Sequence, residues 1–294
     1  MTRPLVDEGF LQRLERLRLQ TRCNVQARNH GDRLSRHKGI GLEFFDYRPY
    51  VEGDDVRYVD WNVYCRLDRL VLKLVVDEQD LCLHLLIDTS SSMGAGSAPK
   101  LDYALKTAGA FAYIALCNHE RVAAGLFNDQ LYRMLQPCRG RRQFLPLLER
   151  LAEARASGRT DLRTPLKQYA LRSRTPGLAI LVSDLLDTDD GYQDGIRSLL
   201  SRGFEVQLLH LLSEEELHPT LDGDLELVDW ESGSKKLATI DAGALGRYQR
   251  ELEQFCTEVE GFCERYGVAY VRVSDEIPFE ELMFRTLRER QFLQ

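Results

Sequence analysis

The stretch Leu81-Cys82-Leu83-His84-Leu85-Leu86-Ile87-Asp88-Thr89-Ser90-Ser91-Ser92-Met93-Gly94 decides how the chain folds. Its first half is apolar almost without interruption, where a strand with one wet face would alternate. Such a run is the pattern of a strand covered on both faces, which belongs in a parallel sheet flanked by helices. It stops abruptly in a carboxylate and a row of hydroxyls. A second run, Leu178-Ala179-Ile180-Leu181-Val182-Ser183-Asp184, ends in the same way.

Outward from these two runs, strand and helix patterns alternate. Residues 100–118 read as a helix with small residues on one side, and 121–127 and 131–137 flank Asn128-Asp129 as a hairpin. Residues 141–156 and 164–173 read as helices, and another runs through Arg202 to a strand at 205–212. Short strands at 225–230 and 235–241 precede a long helix at 243–266, a strand at 268–274 and a last helix at 279–290. This order predicts an α/β fold, a doubly wound, mostly parallel sheet flanked by helices. Upstream, residues 8–21 predict a basic helix with Phe10, Leu14 and Leu17 on one stripe and Arg13, Arg16 and Arg18 around the rest. Residues 43–76 are rich in aromatics, with short strand-like runs broken by Glu52-Gly53-Asp54-Asp55. The domain reading is an N-terminal helical/β extension over 1–78 and a main domain over 79–294, with a small acidic β insertion at 213–241.

At 294 residues, 44% apolar and 29% charged, the chain is long enough for a substantial core. Its net charge of −7 argues against a general nucleic-acid binder. The charge is uneven: residues 1–40 hold nine Lys/Arg against four Asp/Glu, whereas 213–234 hold eight Asp/Glu and no Lys/Arg. Seven cysteines, at 23, 65, 82, 117, 138, 256 and 263, form no CxxC and read as reduced core residues. No apolar signal region or membrane-spanning run is present, so a soluble, cytoplasmic protein is expected.

In doubly wound sheets, ligands collect beyond the carboxyl ends of strands where the strand order reverses. If the two apolar strands are neighbours there, Asp88 and Asp184 share one crevice, with Ser90 and Ser92 beside them. The loop Ser157-Gly158-Arg159-Thr160-Asp161-Leu162 adds the hydroxyl of Thr160. Oxygen-only donors suit a hard cation, magnesium first and manganese or calcium after it. Neutral hydroxyls leave much of a cation's charge unquenched, so an open coordination position attracts an outside carboxylate. That is a binding device before it is a catalyst. The plain alternative is that Asp, Ser and Gly after a strand make a turn and cap the next helix.

Asp88-Thr89-Ser90-Ser91-Ser92 resembles the DxSxS signature of von Willebrand factor A domains. The resemblance implies a metal-ion-dependent adhesion site made of Asp88, Ser90 and Ser92, a threonine from a second loop and an aspartate from a third. Thr160, in GRTDL, is similar to the family's GGTxL element, with Arg159 in place of the second glycine; Thr164 is the competing threonine. Asp184, in LVSD, is similar to the usual TDG aspartate. The stretch EFFDYRPYVEGDDVRYVDWNVYCRLDRL, together with LVDWESG, DEIPFEEL and the final helix with Leu287 and Arg288, resembles the prokaryotic domain-of-unknown-function family 58. That resemblance runs from about residue 35 to the end. It implies a cofactor-like partner in a chaperone or metal-insertion assembly, and with the site the expectation is a non-enzymatic, metal-dependent protein–protein interaction module. Its expected role is chaperone-like or in complex assembly, beside an AAA+ ATPase of the MoxR type.

Other signals are weaker. The run from Gly94 to Lys100 lacks the ending of a phosphate loop, and Pro99 sits where an N–H is needed. No GxSxG elbow makes Ser90 a hydrolase nucleophile. His84 reads as a core histidine, and Asp187, Asp189 and Asp190 as a solvated helix start. In the aromatic segment, Arg48, Arg57 and Arg66 are expected to pair with Asp54, Asp55 and Asp60, with Tyr50, Tyr58 and Trp61 as anchors. Two alternatives stay open: a metal-dependent hydrolase at the same crevice, and nucleic-acid binding through the basic first 40 residues.

Overall fold

A computed structural model of the chain describes residues 8–21, 42–77, 81–95, 99–186, 191–229, 231 and 233–294. The chain divides into two units, one of residues 22–80 and one of residues 81–294 together with the stretch up to Thr21. The extension expected over 1–78 is therefore split: its first segment belongs with the main unit.

In the smaller unit, β1 (Leu42–Pro49) pairs antiparallel with β2 (Val71–Asp77). Between them lies a helix, Trp61–Leu67, where only strand-like runs were expected. Its cause is Asp60, whose Oδ1 accepts from the backbone N–H of Asn62 and Val63 at 2.9 and 3.2 Å and so caps the first turn. Its other oxygen accepts from the Tyr47 hydroxyl at 2.8 Å. Asp60 thus caps this helix, while Arg48–Asp54 and Arg57–Asp55 pair as expected. Trp61 and Tyr58 are exposed.

The main unit is built on a six-stranded sheet. Its strands are β3 (Cys82–Asp88), β4 (Arg121–Phe127), β5 (Leu131–Arg139), β6 (Leu178–Ser183), β7 (Glu205–Leu212) and β10 (Ala269–Ser274), while β8 (Gly223–Val228) and β9 (Lys235–Ile240) form a separate antiparallel pair. The spatial order is β10-β7-β6-β3-β4-β5, parallel except for β5, the second arm of the hairpin. Alternate residues of β3 point to opposite faces. Leu83, Leu85 and Ile87 join the core under the helix Lys100–Cys117, while Leu86 joins the core under the helices Arg163–Arg172 and Gly191–Ser201. Both faces are covered, which is why the strand needs no polar alternation. The last two helices approach closely at Gly195, where an added Cβ would lie 2.5 Å from the Leu162 carbonyl oxygen.

The helix expected over 8–21 spans only Glu8–Leu14. The chain then turns, with the Leu17 N–H bonded to the Leu14 carbonyl, and Leu19 bridges Leu293 near the C-terminus. Leu14, Leu17 and Leu19 are buried in the main core, which is what the apolar stripe of this segment serves. Residues 22–40, the rest of the basic stretch considered for nucleic acid, lie outside the described residues, as do Asp187, Asp189 and Asp190. The last helical segment, expected as one helix, contains a π-helical turn at Leu282–Thr286. Among the described residues no helix is long and apolar enough to cross a membrane.

His84 lies inside β3 with its Nδ1 2.8 Å from the Tyr169 hydroxyl. Burial holds its imidazole at about 4, below the ordinary 6.5. The unfolded chain therefore takes up a proton that the folded chain refuses, so this contribution is complete above pH 6.5 and lost as pH falls toward 4. Asn at this position keeps a polar atom near the Tyr169 hydroxyl and does not titrate. The stability gap between wild type and His84→Asn is expected to shift in the variant's favour by about 2–3 kcal/mol between pH 7 and pH 4.5. Urea unfolding at the two pH values measures it; a gap independent of pH would mean that the imidazole titrates freely in the folded protein.

Candidate functional site

Strand β3 sits where the sheet's order reverses: β4 follows it on one side and β6 returns on the other. The register Ile87↔Val182 sets the end of β3 beside Ser183, and Asp184 follows directly. Both aspartates are fully buried. One oxygen of Asp88 accepts from the Ser90 N–H at 2.9 Å, and the other from the Ser183 hydroxyl at 2.6 Å. Ser183 also accepts from the Leu185 N–H at 3.0 Å, fixing a turn in which Leu185 has a φ of 56°. A left-handed conformation costs a leucine about 1–2 kcal/mol. The strain lies directly after Asp184, where the pattern resembled earlier has a glycine.

Past Asp88 the chain enters a short 3-10 helix, Ser91–Gly94. Ser90 and Ser92 bring their hydroxyls within 3.0 Å of each other. Thr89 instead bonds the Phe127 carbonyl at 2.8 Å and contacts the Tyr132 hydroxyl at 3.0 Å. The second loop packs directly on this one. The Ser91 N–H reaches the Gly158 carbonyl at 3.0 Å and the Ser157 N–H the Thr89 carbonyl at 2.8 Å. Gly94 permits the approach, because a Cβ there would fall 2.4 Å from that of Ala156. Thr160, on that loop, is buried; Thr164 is exposed on the first turn of the following helix, its N–H bonded to Asp161. Of the two threonines, Thr160 is the one in the loop bonded to Thr89 and Ser91.

Several neighbours were not found from the sequence. The Lys100 ammonium, fully buried, donates to Asp184 at 2.7 Å and to Glu216 at 2.5 Å. Burial alone would lower its pKa, but the charges of Asp184 and Glu216 outweigh that and raise it. Glu216 is also held by Ser213 in a capping box around the short helix Glu214–Leu217. Glu231, from the acidic insertion, accepts from the N–H and the hydroxyl of Thr160. His210 contacts the Asp184 carbonyl through Nε2 at 3.0 Å and the Tyr270 hydroxyl through Nδ1 at 3.0 Å. A carbonyl only accepts, so Nε2 carries the proton and Nδ1 accepts from the tyrosine. Burial holds this imidazole at about 4. Lys100 and His210 sit in no motif; Glu231 lies in LVDWESG, which marked the family rather than the site, and the Ser213–Glu216 spacing is that of a capping box.

Burial and then the charge of Asp184 push the Asp88 carboxyl well above the usual carboxylate range, against the hydrogen bonds from Ser183 and Ser90 that lower it. Two buried carboxylates thus act on each other, with Lys100 bonded to Asp184. The five side chains expected from the sequence offer only hard oxygen donors, a chemistry that suits magnesium better than a softer metal. Among the described residues no group of three or more His, Cys, Asp and Glu is arranged to hold a metal, so any such site depends on hydroxyls. Beside the loops, an open cavity of 390 Å³ is lined by Asn128, Asp129, Gln130, Tyr132, Glu153, Arg155 and Ser157. Tyr132 joins it to Thr89.

Fold and site together define a doubly wound α/β protein with two buried aspartates at neighbouring strand ends, at the point where its strand order reverses. The chain belongs to the DUF58 family of proteins of unknown function, whose pattern it matches over residues 46–254. It is 28% identical over 240 residues to uncharacterized proteins of Mycobacterium bovis and Mycobacterium tuberculosis, covering 80% of this chain and 75% of theirs. Among solved structures it is similar to the conserved hypothetical protein BatB from Bacteroides thetaiotaomicron, with a TM-score of 0.44 and 12% identity over 71% of this chain and 98% of that one. It is also similar to an aerotolerance-related membrane protein from Bacteroides fragilis, with a TM-score of 0.41 and 13% identity over 66% of this chain and 92% of that one.

Proposed function

We propose that this chain is a metal-dependent protein–protein interaction module of the von Willebrand factor A type. Asp88, Ser90, Ser92, Thr160 and Asp184 would hold a magnesium ion, and an acidic side chain of a partner would complete its coordination. The bound ion supplies an electrophilic position for that carboxylate. The observation that carries this reading is the placement of two buried aspartates at adjacent strand ends, with paired hydroxyls in the loop between them. The MoxR-type AAA+ ATPase, or the protein it acts on, is the proposed partner, and the role is assembly or chaperone-like work in the cytoplasm. The hydrolase alternative is disfavoured by His210, whose two nitrogens are committed to a backbone carbonyl and a tyrosine hydroxyl and whose basicity is suppressed.

Capture of a MoxR-type AAA+ ATPase by this protein is expected to weaken at least tenfold with EDTA and with Ser90→Ala. Capture insensitive to both would remove the metal from docking.

A further inference from the structure

Resting on that reading, we propose that Glu231 is the chain's own ligand for the site, a resident carboxylate that a partner's acidic side chain must displace. A single oxygen of Glu231 takes two hydrogen bonds from one residue, from the Thr160 N–H at 3.0 Å and from its hydroxyl at 2.5 Å. The hydroxyl proposed to face the metal is therefore already engaged with a carboxylate, the chemistry assigned to the partner.

The way Glu231 is delivered supports displacement rather than permanent closure. It stands in the turn between β8 and β9, a two-stranded ribbon. A hairpin of that size is marginally stable by itself. Most of its residues are exposed, Leu237 to 82%. The turn is held by local bonds, from the Glu231 N–H to Asp229 at 2.9 Å and from the Gly233 N–H to the Asp229 carbonyl at 2.8 Å, with Gly233 at a φ of 67°. These fix the carboxylate's presentation without burying the ribbon. Upstream in the same insertion, Glu216 reaches Asp184 through the Lys100 ammonium. The insertion thus offers one carboxylate to the Thr160 loop and another, through Lys100, to the Asp184 loop.

A tethered ligand competes at a high effective concentration, on the order of millimolar for a short connection. A partner therefore succeeds by presenting an exposed Asp or Glu that meets Thr160 and the metal together. Such binding releases the ribbon.

The test uses manganese and acetate on the full chain. Manganese is bound to wild type, Glu231→Gln and, as a control in the same ribbon, Glu226→Gln, and water-proton relaxation reports the water on the ion. Acetate is expected to displace that water at a concentration at least tenfold lower in Glu231→Gln than in the other two. Without metal, amide exchange over 223–240 is expected to accelerate only in Glu231→Gln. Equal acetate response in all three, with manganese bound, would overturn the resident-ligand assignment and leave the metal site standing. Manganese bound by none of them would overturn the metal site and this assignment with it.

Discussion

Lys100→Met is expected to destabilise the protein by about 3–5 kcal/mol, the usual cost of removing one partner of a buried ion pair. The Lys100 and Asp184 side chains are wholly inaccessible, and Glu216 is only partly so. Methionine fills much the same volume, so the loss is chiefly electrostatic. It leaves Asp184 buried beside Asp88 without its cation. For a domain of this size the melting temperature should fall on the order of 10 °C. Added magnesium should then recover more stability in the variant than in wild type, because the dication meets carboxylates that Lys100 no longer offsets. Thermal unfolding with and without magnesium measures both effects. A variant within about 0.5 kcal/mol of wild type, the ordinary range for a surface change, would mean that the ammonium does not offset Asp184.

The second large effect concerns the metal itself. A ligand that binds only the folded state stabilises it by about 2.7 kcal/mol at one hundred times its dissociation constant. Saturating magnesium is therefore expected to raise the wild-type melting temperature by roughly 5–10 °C. Asp88→Ala should show no such response. Its baseline also moves, since the Ser90 N–H and the Ser183 hydroxyl lose their acceptor, so the response to magnesium is the quantity to compare. Equal responses in both proteins would place any bound magnesium elsewhere.

Sequence patterns made the central sheet legible because β3 and β6 are buried on both faces and read as unbroken apolar runs. The closeness of Asp88 and Asp184 was legible too, since each ends an apolar run and the two runs pair in parallel. What stayed hidden depends on long-range partners. Lys100 is 84 residues from Asp184 and 116 from Glu216, and nothing local marks a lysine for burial. Glu231 is one of eight acids in its stretch; LVDWESG marked the family, but only the tertiary fold shows that this glutamate meets Thr160. The helix Trp61–Leu67 was hidden by an aromatic, strand-favouring composition that the Asp60 cap overrides. The N-terminal helix was overextended because a helical stripe and a helix followed by a bridge both bury Leu14 and Leu17.

Anomalous diffraction from crystals grown with manganese addresses the metal site itself. One strong peak is expected in the crevice bounded by Asp88 and Asp184, within coordination distance of the Ser90 and Ser92 hydroxyls. A map without a peak there, in crystals whose aspartates remain where β3 and β6 place them, would contradict the metal-dependent reading.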